Sequence, residues 1–175
     1  KMISNLVAST RDHLRNEAGY TNLQVPDEHF LPRMRKAIHI PNRISSLLYE
    51  RVNELYRKNV ITGNHLFVID KELKEFSDII GACERIKNTP IPYSYTMYLK
   101  QFIFIYIITL PLAFVTKTGY MAIPMVSLIT FVLLGVELIA EEIEDPFGKD
   151  INDLPTDELS ERIAENVEEI LIQKS

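Results

Sequence analysis

An all-α membrane protein is the fold class this 175-residue chain predicts, and three features predict it. Apolar residues recur at helical spacing in four separate stretches, with no strand-like alternation, internal repeat or low-complexity segment between them. Two further stretches of about twenty residues each are almost free of charge. The charge itself falls in blocks, with 14 Lys and Arg against 11 Asp and Glu in residues 1–92, 2 against 1 in 93–140, and 3 against 12 in 141–175, behind a net charge of −5. The organisation that follows is a cytosolic helical region over 1–92, two transmembrane helices over 93–140, and an acidic turn with a last cytosolic amphipathic helix over 141–175.

The first helix lies in KMISNLVASTRDHLRNE, where Ile3, Leu6, Val7 and Leu14 make one apolar stripe that stops near Gly19. A polar connection, GYTNLQVPDEHFLP, leads to a second helical stretch interrupted at Ile40-Pro41, because the residue before proline is pushed away from helical angles. Beyond it, Ile44, Leu47, Leu48, Val52 and Leu55 mark an amphipathic helix. Another follows the turn Thr62-Gly63-Asn64, with Leu66, Ile69, Leu73, Phe76, Ile79, Ile80 and Cys83 on its apolar side, and ends at Lys87-Asn88-Thr89.

The chemistry-bearing residues exclude several functions. The one cysteine, Cys83, cannot form an intrachain disulfide and reads as a small packed residue. The histidines His13, His29, His39 and His65 show neither HxxxH nor HxH spacing, so spacing supports no zinc site. There is no glycine-rich phosphate loop, no G-x-S-x-G elbow and no nucleophile beside an obvious base, so an enzyme is not expected. The basic excess of the first ninety residues is small and lacks interleaved aromatics, which disfavours nucleic acid.

MYLKQFIFIYIITLPLAFV, within Tyr93 to Val115, and MAIPMVSLITFVLLGVELIA, Met121 to Ala140, are long enough at about 1.5 Å per residue to cross a hydrocarbon core of roughly 30 Å. Lys100, Pro111, Pro124 and Glu137 keep a second reading open, a buried hairpin of a soluble bundle. Lys100 and Glu137 lie near segment ends, however, and proline is tolerated in membrane helices. The short linker Thr116-Lys117-Thr118-Gly119 places both outer ends on one side, the cytosolic one, since the long arm before Tyr93 carries the basic excess.

The stretch IEDPFGKDINDLPTDE, residues 143–158, admits two readings. Pro146 and Gly148 can end a membrane helix while the acids hold the turn in water; alternatively the carboxylates gather around a cation. Leu159, Ile163, Val167, Ile170 and Leu171 then form a last amphipathic helix, with Thr156 as N-cap and Asp157 and Glu158 in its first turn. Its stripe needs a partner, either the helices of the first ninety residues or another subunit.

The order of these elements, the Thr89-Pro90-Ile91-Pro92-Tyr93 lead into a membrane helix, and above all Asp145-Pro146-Phe147-Gly148 followed by Asp150 and Asp153 resemble the bestrophin family, in its bacterial branch. The resemblance implies a homopentameric ion channel with one pore on the fivefold axis, four membrane helices per subunit and a helical cytosolic vestibule. Only the last two membrane helices are present here, so the first two are expected upstream of Lys1. Eukaryotic members clasp a calcium ion in the acidic loop after the last membrane helix. The matching positions are Glu142, Asp145, Asp150 and Asp153, which implies Ca2+ or another divalent cation as the possible ligand. Lys149, Ile151 and Asn152 interrupt the unbroken acidic run of calcium-gated members, and no EF-hand is formed, because Asp150-x-Asn152 is not followed by the required glycine.

Ile91 lies between Pro90 and Pro92, which stiffen the backbone around it. By itself this is either a hydrophobic staple at a helix boundary or part of a constriction. The resemblance implies the second, an apolar ring at the cytosolic exit of the pore. The family suggests chloride, whereas the acid excess would concentrate cations; the charge balance leans towards monovalent cations. The expected protein is thus a multi-pass subunit of the bacterial cytoplasmic membrane, in contact with lipid and passing small monovalent ions. The alternative is a non-conducting, membrane-anchored helical scaffold or signalling protein.

Overall fold

The computed structural model describes residues 1–19, 23–24 and 30–172; His29 lies outside them. The helices among the described residues are, in order, α1 Met2–Leu14, α2 Phe30–Arg35, α3 Ile40–Arg57, α4 Gly63–Asn88, α5 Tyr93–Thr118, α6 Ala122–Glu144 and α7 Thr156–Ile172, with a 3-10 turn at Gly119–Met121. Among the described residues there is no strand, and the chain is all-α as its periodicity predicts. The chain forms two compact units, Lys1–Asn88 with Leu154–Ser175, and Thr89–Asp153.

The core of the first unit is built from Leu6, Leu23, Phe30, Met34, Ile44, Leu47 and Ile80, drawn from α1 to α4 and the segment before α2. Ile44 and Leu47 are buried as the α3 stripe predicts, while Leu55 at its far end is exposed. In α4, Leu73 and Ile80 are buried but Ile79 is exposed. α2 begins at Phe30, inside the stretch expected to be a polar connection, because Phe30 and Met34 both enter the core.

α1 departs from its predicted stripe. Leu6 and Leu14 are buried, yet so are Ser4, Asn5, Ser9 and Asp12, and Ile3 is exposed. Burying polar groups is tolerable when each finds a partner. Asn5 Nδ2 donates to the Gln24 carbonyl at 2.6 Å while Asn5 Oδ1 accepts from the Gln24 N–H at 2.7 Å. Ser9 Oγ donates to the Leu6 carbonyl, and Asp12 accepts from Arg11 at 2.6 Å.

The caps follow from local chemistry. α3 starts at the predicted Ile40-Pro41 break, since proline in a first turn has no N–H to leave unsatisfied. His39 is its N-cap, with Nδ1 accepting from the Asn42 N–H at 3.2 Å. Thr62 and His65 bond each other where α4 begins, so His65 is spent on the helix start. Asn16 and Asn59, with φ of 57° and 56°, turn the chain out of α1 and α3.

α7 packs on α1, one of the two partners admitted for it, with Ile163 and Val167 of its stripe half-buried while Leu159, Ile170 and Leu171 stay exposed. Asp157 in its first turn accepts from Arg11 at 3.1 Å and from Arg15 at 2.8 Å. Thr156, expected to cap α7, is instead its first helical residue, and its buried Oγ1 has no hydrogen-bond partner.

Glu84 of α4 joins three elements. Its Oε1 lies 2.9 Å from Nε2 of His13 on α1 and 2.5 Å from Nε2 of His39 at the start of α3. Partial burial opposes the charge on Glu84, but the hydrogen bond and attraction of His39, and then those of His13, outweigh it and hold the carboxyl below its ordinary value. A depressed carboxyl stabilises the fold fully above the unfolded value, and that contribution is lost as pH falls through the folded one. Glu84→Gln should therefore cost roughly 1 to 2 kcal/mol at neutral pH and flatten the decline of melting temperature between about pH 5 and 3. Melts followed by circular dichroism across that range check it; parallel curves for parent and variant would remove Glu84 from the acid sensitivity.

Candidate functional site

The second unit carries the residues the sequence singles out. α5 and α6 run 26 and 23 residues, each longer than its predicted apolar stretch, and pack along each other. Gly119, at φ +54°, makes the reversal between them; nothing crowds its Cβ position, so conformation and not space asks for glycine here. Within Gly63–Glu144 an eighteen-residue window has mean hydropathy 2.3, and only 6% of it is buried. Leu112 and Phe131, for example, are 71% and 75% exposed. Among the described residues of this unit, nothing buries that surface.

Polar groups inside the hairpin are satisfied locally. Thr109 Oγ1 donates to the Ile105 carbonyl at 2.9 Å and Thr118 Oγ1 to that of Phe114 at 2.9 Å. Lys100, near the start of α5, meets Glu137 at 3.0 Å and Glu141 at 3.4 Å near the end of α6. The two charges that kept a soluble reading open thus neutralise each other.

Ile91 follows the end of α4 at Asn88 and precedes α5. Pro92 caps α5 with φ −54° and ψ 126°, and its carbonyl accepts from the Tyr95 N–H at 2.8 Å. Pro90, Ile91 and Pro92 are all exposed, Ile91 by 47%. Ile91 also borders an apolar cleft of roughly 200 Å³ between α5 and α6, lined on one side by Leu99 and Ile103 and on the other by Val136 and Ala140. Ile91 is thus half-exposed between two prolines that restrict the backbone around it.

The acidic turn is held by its own bonds. α6 ends at Glu144, and Asp145 leaves helical geometry at φ −116°, ψ 82°. Asp153 Oδ2 accepts from the Asp150 N–H at 2.7 Å, and the Asp153 N–H returns to the Asp150 carbonyl at 3.1 Å. Glu142 accepts from Asn152 Nδ2 at 2.6 Å. Phe147 of the Pro-Phe-Gly segment is buried. Among the described residues, the group of three or more acids, histidines or cysteines placed to share an ion is His13, His39 and Glu84, so Glu142, Asp145, Asp150 and Asp153 are not gathered in this way. No spacing rule joins positions 13, 39 and 84, and only the fold brings them together.

The sequence profile described as "Bacterial/Fungal Bestrophin protein" matches residues 1–169. The chain belongs to this bestrophin family. A voltage-dependent anion channel-forming protein of Nostoc sp. is 30% identical to this bestrophin over 164 residues, 93% of the chain and 53% of that protein. The voltage-dependent anion channel-forming protein YneE of Escherichia coli is 37% identical over 124 residues, 70% of the chain and 40% of that protein. A crystal structure of a bacterial bestrophin homolog from Klebsiella pneumoniae superposes with TM-score 0.90 at 27% identity, over 96% of this chain and 63% of that one. The chain therefore spans about half the length of the channel-forming relatives it matches.

Gly148 is favoured by close approach. A Cβ there would stand 2.5 Å from Asp153 Oδ2, the atom that holds the Asp150 N–H. Gly148→Ala should displace Asp153 and loosen the turn by about 1 kcal/mol, speeding amide exchange at Asp150 by about fivefold. Hydrogen-exchange mass spectrometry of the segment after α6 reads this directly, and unchanged exchange would show that Asp153 does not hold the turn.

Proposed function

We propose that this chain is part of a subunit of a homopentameric ion channel in the bacterial cytoplasmic membrane. α5 and α6 each cross the bilayer in contact with lipid, both outer ends are cytosolic, and small monovalent ions pass through an axial pore narrowed by Ile91. The observation that carries the reading is an exposed isoleucine between two prolines at the foot of an outward-facing apolar hairpin, in a bestrophin. The relatives' names favour an anion; the acid excess of residues 141–175 favours a cation.

One preparation of the full-length protein tests both parts. Native mass should give five subunits, and bilayer recordings in asymmetric salt should give a reversal potential whose sign names the ion. Ile91→Ala shortens five side chains at once, so the ring should widen. Conductance or open probability should rise and discrimination among ions should relax, because narrow apolar rings make dehydration costly. A structural Ile91 would instead cost roughly 2 to 5 kcal/mol of stability with conduction unchanged. Pentamers that never conduct would return the protein to the scaffold reading.

The same proposal gives Glu142, Asp145, Asp150 and Asp153 to Ca2+ or another divalent cation. Support comes from the Pro-Phe-Gly turn after α6 in a member of this family. Six to eight oxygens at about 2.3 to 2.6 Å are needed, so Asp153 would exchange the Asp150 N–H for the ion. Calcium should then raise the melting temperature by mass action, by the equivalent of about 2.7 kcal/mol at a hundredfold excess over Kd. Joint replacement of Asp145, Asp150 and Asp153 by asparagine should abolish the rise. Identical melts of the parent in calcium and in chelator would leave the acids as a solvated helix boundary.

A further inference from the structure

The geometry points to a transition-metal site in the first unit, formed by Nε2 of His13, Nε2 of His39 and the Glu84 carboxylate, for a borderline divalent ion of the Zn2+ class. It is separate from the acidic turn and does not depend on conduction. The three ligand atoms lie within 4.8 Å of one another and come from α1, the start of α3, and α4. The imidazole rings are 4.3 Å apart and tilted by 42°, so their Nε2 atoms converge on one Glu84 oxygen. All three side chains are roughly a third exposed, at 35%, 28% and 28%, which admits a hydrated ion and still encloses it on the protein side.

Two imidazoles and a carboxylate are a set that zinc accepts, leaving a fourth position for water. Softer thiolate sites are excluded by composition, and an oxygen-seeking ion such as Ca2+ is disfavoured by the two nitrogens. Zinc bonds of about 2.0 to 2.2 Å in tetrahedral geometry set ligand atoms roughly 3.3 Å apart, so the present hydrogen bonds of 2.9 and 2.5 Å have to open by side-chain rotation, the His39 contact the further of the two. Lys87, one turn along α4, is drawn away from the ion position: its Nζ donates to the His13 carbonyl at 3.2 Å and to Asn16 Oδ1 at 2.8 Å.

His39 supplies an internal check. Its Nδ1 accepts from the Asn42 N–H, which places the ring proton on Nε2. An ion on Nε2 moves that proton to Nδ1, and the α3 cap is released. His39→Asn removes the ligand yet preserves capping, because asparagine is among the preferred N-cap residues. This variant separates a metal ligand from a residue needed only for folding.

The test uses the full-length protein in detergent with Co2+ and Zn2+ as probes. Co2+ should saturate at about one ion per subunit with the visible absorption of a four-coordinate N/O site, and Zn2+ should bleach it. Zn2+ should raise the melting temperature of the parent. Both effects should vanish in His39→Asn and in Glu84→Gln, while metal-free His39→Asn keeps its helical circular dichroism and the triple asparagine variant of the acidic turn keeps the zinc response. Absence of saturable cobalt absorption in the parent overturns the site. So does an equal zinc-induced rise in parent, His39→Asn and Glu84→Gln, which would place the ion elsewhere.

Discussion

The structure depends on one constraint: α5 and α6 turn apolar side chains outward along most of their length, and none of the described residues of their own unit covers them. Such a surface is stable only against hydrocarbon or more protein. The sequence of the hairpin complies in detail. Pro124 sits in the first turn of α6, where a missing N–H costs little, so Pro111 is the one interruption of helix interior. Threonine hydroxyls return to their own helix, and Lys100 is matched by Glu137 and Glu141 instead of being left alone. Each of these polar groups has a partner within the hairpin.

The first unit is held by a different balance. Its apolar core is small, centred on Leu6, Met34 and Ile44, and polar pairings do much of the joining between helices. Asn5 with Gln24, Arg11 and Arg15 with Asp157, and the histidines with Glu84 each link elements distant in sequence. Large apolar residues such as Phe67, Ile79, Ile170 and Leu171 stay exposed on amphipathic helices. One copy of the chain does not exhaust its apolar faces, which is the physical support for assembly into an oligomer.

Length with near absence of charge made α5 and α6 legible, and periodicity made α3 legible because its apolar residues do the packing. It misread the buried face of α1, since helical spacing sees apolarity and not the reciprocal bonds that let Asn5 and Asp12 go inside. It misplaced the α7 cap for a similar reason: Thr156 is a good capping residue in isolation, but Pro155 already accepts the first helical N–H, from Leu159. Motif reading located the Pro-Phe-Gly turn and the Pro-Ile-Pro frame, where a few adjacent residues dictate backbone. It could not tell which acids converge, nor bring His13, His39 and Glu84 together across three helices, because tertiary packing sets those distances.

The sign of the permeant ion illustrates why charge counts mislead. Residues 141–175 hold 12 acids against 3 basic residues, and that count argues for cations. Yet Glu141 is matched by Lys100, and Asp157 lies between Arg11 and Arg15. A carboxylate paired within a few ångströms contributes little field beyond a Debye length of about 8 Å at physiological salt. The isoleucine ring proposed for the pore would, for its part, raise the dehydration cost for ions of either sign and choose neither. Selection by sign therefore has to come from charged or dipolar groups that face the ion path directly, so the acid excess is compatible with relatives named for anions.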